Sequence, residues 1–262
     1  MPSSPSKPIR RIIHADNMDV LPGMGSETFD LIYIDPPFNT GKKQVRTSPT
    51  GKTISYEDQF DDFEVFMKPR LQEAYRLLSP SGSFFCHLDY REVHYCKIWL
   101  DSVFGRSSFM NEIIWAYDYG ARSKKKWSCK HDSILWYAKD PQSYTFNYDE
   151  MERIPYMAPG LVGKEKEARG KTPTDCWWHT IVSTCGKEKT GYPTQKPLGV
   201  ISRIIKVHSQ KDDLLLDFFA GSGTLGFAAH GLNRNFVLID DNIKAINIMK
   251  KRFGPYDEVE IQ

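Results

Sequence analysis

Residues 214–226, LLLDFFAGSGTLG, read as a strand, a glycine turn and the opening of a helix. Leu214 to Phe218, apolar except at Asp217, has the length of a buried parallel strand. Gly221 permits a tight turn, Gly223 lets a ligand approach the backbone, and Gly226 permits close packing of the helix. The helix is expected from Thr224 to His230 and the next strand from Phe236 to Ile239. Asp240 ends that strand, about where an acid that grips a ribose belongs. A glycine pattern alone is often a plain loop; the ordered strand, turn, helix, strand and acid point instead to a nucleoside-bearing cofactor. A dinucleotide would use the same geometry. Against it, dinucleotide folds usually open the chain with this unit, and here it falls near the end. Asp217 also places a carboxylate before the glycines, where a pyrophosphate would be repelled and a cationic amino-acid moiety held.

Strands alternate with helices on both sides of this unit. Strands are predicted at Arg11 to Ala15, Phe29 to Ile34 and Ser83 to Leu88, with a β pair at Asn111 to Tyr117 and Ser133 to Ala138. Helices are predicted at Asn17 to Leu21, Phe63 to Leu78, Arg91 to Phe104, Leu198 to His208 and Ile243 to Arg252. Residues 39–56 read as a polar loop, and 140–192 as irregular. The pattern is that of an α/β fold with a doubly wound, mostly parallel sheet. Its two parts, 1–139 and 193–262, flank an inserted recognition segment at 140–192, because so long a structureless loop inside a domain would be unusual.

The strand Phe29 to Ile34 ends in Asp35, Pro36, Pro37 and Phe38. Open α/β sheets build their sites at that edge. The carboxylate can accept from an amino group, the prolines stiffen the turn and leave carbonyls free, and the ring offers a face to a flat base. An ordinary strand-end turn would account for these four residues equally well.

Composition bounds the partners. The 262 residues are 40% apolar and 26% charged, which is globular, and the net charge is only +2. Charge is segregated, however. Lys42, Lys43 and Arg46 lie in an acid-free segment at 40–54, and Arg122, Lys124, Lys125 and Lys126 in another at 121–131 that also holds Trp127. Such segments resemble a phosphate-contacting footprint, although either alone could be a solvated loop. Five cysteines without a C-x-x-C spacing suggest reduced thiols and a cytoplasmic protein, and Cys176, His179 and Cys185 are too sparse for zinc. No metal, membrane span or signal peptide is expected. Trp177 and Trp178 read as core, and His131 as a satisfied residue at a strand start.

DPPF (35–38), TQKP (194–197) and DFFAGSGT (217–224), in that order, resemble the bacterial DNA amino-methyltransferases of the permuted β arrangement. NEIIWAYDYG (111–120) and KHDSILWYAK (130–139) extend the resemblance over nearly the whole chain. It implies a circularly permuted, seven-stranded, Rossmann-like sheet whose third strand comes from the N-terminus. It implies S-adenosylmethionine as methyl donor, held by Asp217, Phe218, Phe219, Ala220, Gly221, Ser222, Gly223 and Thr224, with Asp240 on the ribose and Asp16 near the adenine. Thr194, Gln195 and Lys196 would close the methionine side, and Asp35 would border the donor as well as the target. Asp35, Pro36, Pro37 and Phe38 become the catalytic element for direct transfer to an amine on a flipped-out base in double-stranded DNA. An aspartate before Pro-Pro favours adenine N6. Cytosine N4 is the alternative, and an RNA or protein amide methyltransferase a further one. The resemblance leaves room for a cognate restriction enzyme and a homodimer.

Overall fold

Ile32 and Leu216, from opposite halves of the chain, are register partners in adjacent parallel strands. The computed structural model describes residues 8–41, 44–47, 53–56, 58–183, 185–254, 256 and 259–262, without the side chains of 44–47 and 53–56. In chain order the elements are β1 (Arg10–His14), α1 (Asn17–Val20), β2 (Phe29–Ile34), β3 (Gln44–Thr47), β4 (Thr53–Tyr56), α2 (Phe63–Leu77) and β5 (Leu78–Leu88). There follow α3 (Val93–Phe104), β6 (Phe109–Ala116), β7 (His131–Ala138), α4 (Lys164–Arg169), β8 (Cys176–Trp178) and α5 (Leu198–His208). The chain closes with β9 (Leu214–Asp217), α6 (Thr224–Gly231), β10 (Asn235–Asp240), α7 (Ile243–Phe253) and β11 (Glu260–Ile261).

One sheet runs β11-β1-β10-β9-β2-β5-β7-β6-β8. Only the β5–β7 and β6–β7 pairings are antiparallel. Seven strands form its body, as the resemblance implies, and the short β11 and β8 extend the edges. β1 lies beside β10, so the N-terminus supplies the strand that would follow β10 in an unpermuted chain.

Alternation builds the two faces. Leu31, Tyr33, Leu215, Phe236 and Leu238 pack with α5, α6 and α7, while Ile32, Ile34, Leu216, Val237 and Ile239 pack with α2 and α3. These strands carry apolar side chains on both faces because helices cover both sides. Asp62 caps α2 by accepting from Glu64 N and Val65 N, which sets the start of that helix at Phe63.

Several expectations need correction. Residues 39–56 contain an antiparallel hairpin, β3 with β4, where β-branched Val45, Thr47, Thr53 and Ile54 outweigh the Gly/Lys/Ser composition. The strand expected at Ser83 begins at Leu78, directly after α2, with an irregular register between Phe29 and Leu31. Within 140–192, β8 joins the main sheet beside β6. It buries Trp177 but leaves Trp178 74% exposed, because neighbours in a strand face opposite ways.

Leu216 is fully buried in the strand that joins the two halves of the chain, whereas Val65 is 68% exposed. Leu216→Ala is expected to cost about 2–5 kcal/mol of unfolding free energy. Val65→Ala should change it by less than about 0.5 kcal/mol. Urea denaturation followed by circular dichroism measures both.

Candidate active site

The glycine turn falls between β9 and α6. Gly221 and Gly223 both have positive φ, 52° and 70°, which side chains other than hydrogen rarely adopt. A Cβ on Gly221 would sit 3.0 Å from the Tyr192 ring, and one on Gly223 would strike Met249 at 2.8 Å. Gly221 therefore lets Tyr192 close over the turn, and Gly223 lets α7 pack against it. A Cβ on Gly226 would lie 2.6 Å from Leu238, the close helix–strand packing expected there. Asp240 holds the turn: its Oδ2 accepts from Gly221 N at 2.7 Å and its Oδ1 from Asn242 N at 2.9 Å.

A cavity of about 410 Å³ opens beside the turn, inside the range of about 300–1,000 Å³ usual for small-molecule sites. The structure brings Asp16, Asp35, Pro36, Pro37, Phe38, Thr194, Lys196, Asp217, Phe218, Phe219, Ala220, Gly221, Ser222, Thr224 and Asp240 together on its walls. Gly223 and Gln195 are not among them. Gln195 braces its own loop, accepting from Thr190 N and Oγ1 at 2.8 Å and donating to the Glu188 carbonyl at 2.8 Å. The walls are acidic. Burial, with the charges of Asp35 and Asp240, pushes the Asp217 carboxyl well above the ordinary range against a hydrogen bond from Phe219 N. Burial likewise pushes Asp240 up to about 6 despite its two amide donors. Asp16 is answered by Arg70, 3.3 Å away, which also donates to Asn17 Oδ1 at 2.8 Å. The remaining acids would be relieved by a cationic ligand.

Asp35 sits just past β2. Its Oδ2 receives Lys196 Nζ at 2.5 Å, and Lys196 is 7% exposed. Its Oδ1 is buried and, among the described residues, has no hydrogen-bond partner. An unpaired buried oxygen of this kind is a seat for a donor. Lys196 also stands 4.9 Å over the Phe38 ring. It thus touches Asp35 and Phe38 rather than only closing the cavity.

A second cavity, of about 620 Å³, meets the first at Phe38, Tyr192, Thr194 and Lys196. Aromatic Trp115, Tyr117 and Tyr119 line it together with Asp89, Asp132 and Lys126. Behind Phe38 lies His87, fully buried and stacked on that ring at 6.3 Å between centroids, with 28° between the planes. His87 Nδ1 is 2.7 Å from the Tyr33 hydroxyl and its Nε2 is 3.1 Å from Asp132 Oδ2. Burial alone would raise the Asp132 carboxyl; the hydrogen bond and charge of His87, helped by Lys196 and Tyr117, hold it below the ordinary range.

Of the basic residues expected to meet DNA, Lys42, Lys43 and the side chain of Arg46 lie outside the described residues. Arg122, Lys124, Lys125 and Lys126 are exposed; Arg122 pairs with Asp118 at 2.7 Å, and Lys126 lines the second cavity. His131 is exposed at the start of β7, also on that cavity. Sequence reasoning missed Tyr33, His87, Asp132, Tyr192, Arg70 and Phe66, the last on the first cavity with the Arg70 guanidinium 3.9 Å over its ring. Tyr192 had a signal, its place two residues before Thr194 in GYPTQKP. The others read as ordinary core or helix residues.

A family model described as DNA methylase (N6_N4_Mtase) matches residues 29–251. The type II methyltransferase M.HpaI of Haemophilus parainfluenzae is 31% identical over 255 residues, 96% of this chain and 77% of that protein. The DNA adenine methyltransferase YhdJ of Escherichia coli (strain K12) is 31% identical over 253 residues, 93% of this chain and 82% of its own. Among solved structures, the M1.HpyAVI–SAM complex superposes with a TM-score of 0.64 at 23% identity, covering 93% of this chain and 98% of the other. The cytosine-N4-specific PvuII DNA methyltransferase gives 0.65 at 15% identity, covering 98% and 97%. These two share the fold.

With Asp240 raised to about 6 in the fold against about 3.9 in an unfolded chain, the folded state binds more protons between those values. Its contribution to stability is fully present below about pH 4 and is lost as pH rises through about 6. The stability of the wild type relative to Asp240→Asn is expected to fall by about 1–2 kcal/mol across that window. Denaturant titrations of both proteins at a series of pH values measure the difference.

Proposed function

The chain belongs to the N6/N4 DNA methylase family, and on that premise we propose that it transfers a methyl group from S-adenosylmethionine to the N6 amine of adenine in duplex DNA. The observation that carries the reading is Asp35, with one carboxylate oxygen held by Lys196 and the other buried without a partner where two cavities meet.

The first cavity fits the donor. Asp217 suits its ammonium, Asp240 its ribose hydroxyls and Asp16 its adenine amine, and an acid-rich wall suits a ligand with two cationic centres. Bound S-adenosylmethionine supplies an electrophilic methyl on a sulfonium. The second cavity, walled by aromatic rings, suits a base withdrawn from the duplex, since its amine is otherwise paired. Phe38 offers its face to that base, and His87 behind it fixes the ring plane. Asp35 Oδ1 and the Pro36 carbonyl accept the two amino hydrogens. That turns the nitrogen lone pair out of conjugation and toward the methyl. As the nitrogen–carbon bond forms, the methyl–sulfur bond would break with its electron pair left on sulfur as a neutral thioether, and the nitrogen would shed a proton that Asp35 Oδ1 is positioned to accept. Lys196 keeps the carboxylate in one rotamer, so the acceleration comes from orientation and a prearranged field.

Adenine is favoured by the aspartate before Pro-Pro and by likeness to an adenine enzyme, YhdJ. Cytosine N4 is the second reading: the fold is shared with a cytosine-N4-specific enzyme, and both bases present the same amine. The exposed cations at 122–126 suit phosphate contacts. Ile181, Val182 and Lys189 of the 140–192 segment line the second cavity, which supports a part for it in reading the target. Likeness to a type II methyltransferase supports a place beside a restriction enzyme.

Methylation-aware sequencing of DNA from a methylation-deficient host expressing the chain should find N6-methyladenine at one short motif. N4-methylcytosine in its place would transfer the proposal to the second reading. Asp35→Ala should lower single-turnover methyl transfer, measured at saturating donor, by on the order of 10³-fold. An active Asp35→Ala would remove Asp35 from the mechanism.

A further inference from the structure

Trp127 has no place in the chemistry above, yet it is 97% exposed, more than any other large apolar side chain among the described residues. It sits in a loop between β6 and β7 whose neighbours are Lys124, Lys125, Lys126 and Lys130, and no acid occurs from Tyr119 to His131. The loop is held in shape. Ser123 Oγ accepts from Lys125 N at 3.1 Å and Lys126 N at 3.3 Å, while Ser128 Oγ accepts from Ser123 N at 2.7 Å. At its base, Tyr117 N donates to the Lys130 carbonyl, and Lys130 Nζ to the Tyr119 carbonyl. Lys126 and Cys129, on either side of Trp127 in the chain, both line the second cavity, so the segment that carries the indole runs along the rim of that chamber.

A protein surface that used this indole as an anchor would want apolar neighbours around it; here the neighbours are ammonium groups. A polyanion with flat apolar faces inside it satisfies both the lysines and the ring. Withdrawing a base from a duplex leaves a base-sized gap in the stack, and closing that gap recovers stacking that extrusion gives up.

We propose that Trp127 is the wedge that enters the duplex and fills the space left by the extruded target base. The inference rests on the DNA-amine reading and adds to it a positioning residue outside the catalytic turn. The lysines beside it hold the backbone, and the indole shifts the target toward the extruded state.

The test compares full-length wild type, Trp127→Ala and Trp127→Phe in single-turnover methyl transfer. Two duplexes carry the chain's own site, one with the target base paired and one with it opposite an abasic position. Trp127→Ala is expected to lose about 10- to 100-fold on the paired duplex. On the abasic duplex, where extrusion is already cheap, the loss should stay under about 3-fold. Trp127→Phe, which keeps a ring, should stay within about 5-fold of wild type on both. Melting temperature and donor affinity should match wild type in both variants, since the side chain packs on nothing. Equal losses on the two duplexes, or no loss on either, would overturn the wedge. A wild type that methylates neither duplex would overturn the DNA-amine reading itself, a result no Trp127 variant can produce.

Discussion

A carboxylate and an ammonium withdrawn from water must answer one another, because removing either partner strands the other at a cost of about 3–5 kcal/mol. In this chain the two are Asp35 and Lys196, 2.5 Å apart and drawn from opposite parts of the sequence. Their pairing fixes the loop before α5 onto the end of β2. The rest of that loop is arranged to permit it. Gln195 ties the loop to Thr190 and Glu188, and Glu188 Oε1 accepts from Leu198 N at 2.6 Å where α5 begins. Tyr192 then lies over Gly221, so the loop that clamps Asp35 also roofs the glycine turn. One ion pair thereby joins the turn that would hold a donor to the turn that would hold an acceptor, and leaves Asp35 Oδ1 as the unpaired atom between them.

The pair also shows where reading the sequence stopped. The bounds of β2 and α5 follow from local pattern, a mostly apolar run and a strong amphipathic period, and they emerged as expected. The permuted order, which the family resemblance implied, also emerged: β1 from the N-terminal part lies beside β10. Lys196 was visible as a motif residue, but its partner was not, because 161 positions separate it from Asp35 and only the fold measures that distance. Gly223 looked like a place for a ligand to approach; what approaches is Met249 from α7, a helix whose packing direction no local pattern encodes. Tyr33, His87 and Asp132 lie on β2, β5 and β7, each in a run that reads as plain core, and become a linked group only when three strands are set side by side. β8, three residues long, is below what periodicity can register.

A net charge of +2 conceals two opposed fields. Asp16, Asp35, Asp217, Asp240 and Asp241 face the first cavity, with Arg70 and Lys196 as its cations, while the exposed loop after β6 carries cations alone from Tyr119 to His131. A polyanion drawn to that loop cannot follow its charge inward, since the inner walls repel phosphate and reward a cation. On the proposed reading, what would pass from rim to interior is the neutral, aromatic part of a nucleic acid, the base itself, along Tyr117, Trp115 and Phe38, whose faces suit stacking rather than charge. On that reading the acids of the first cavity would keep phosphate away from the donor site while the rings of the second admit the base. Asp35 Oδ1, buried and without a hydrogen-bond partner among the described residues, lies where an amine on that base would arrive. A chain basic throughout would bind the backbone more tightly and would have no acidic wall to hold the proposed cationic donor apart from it.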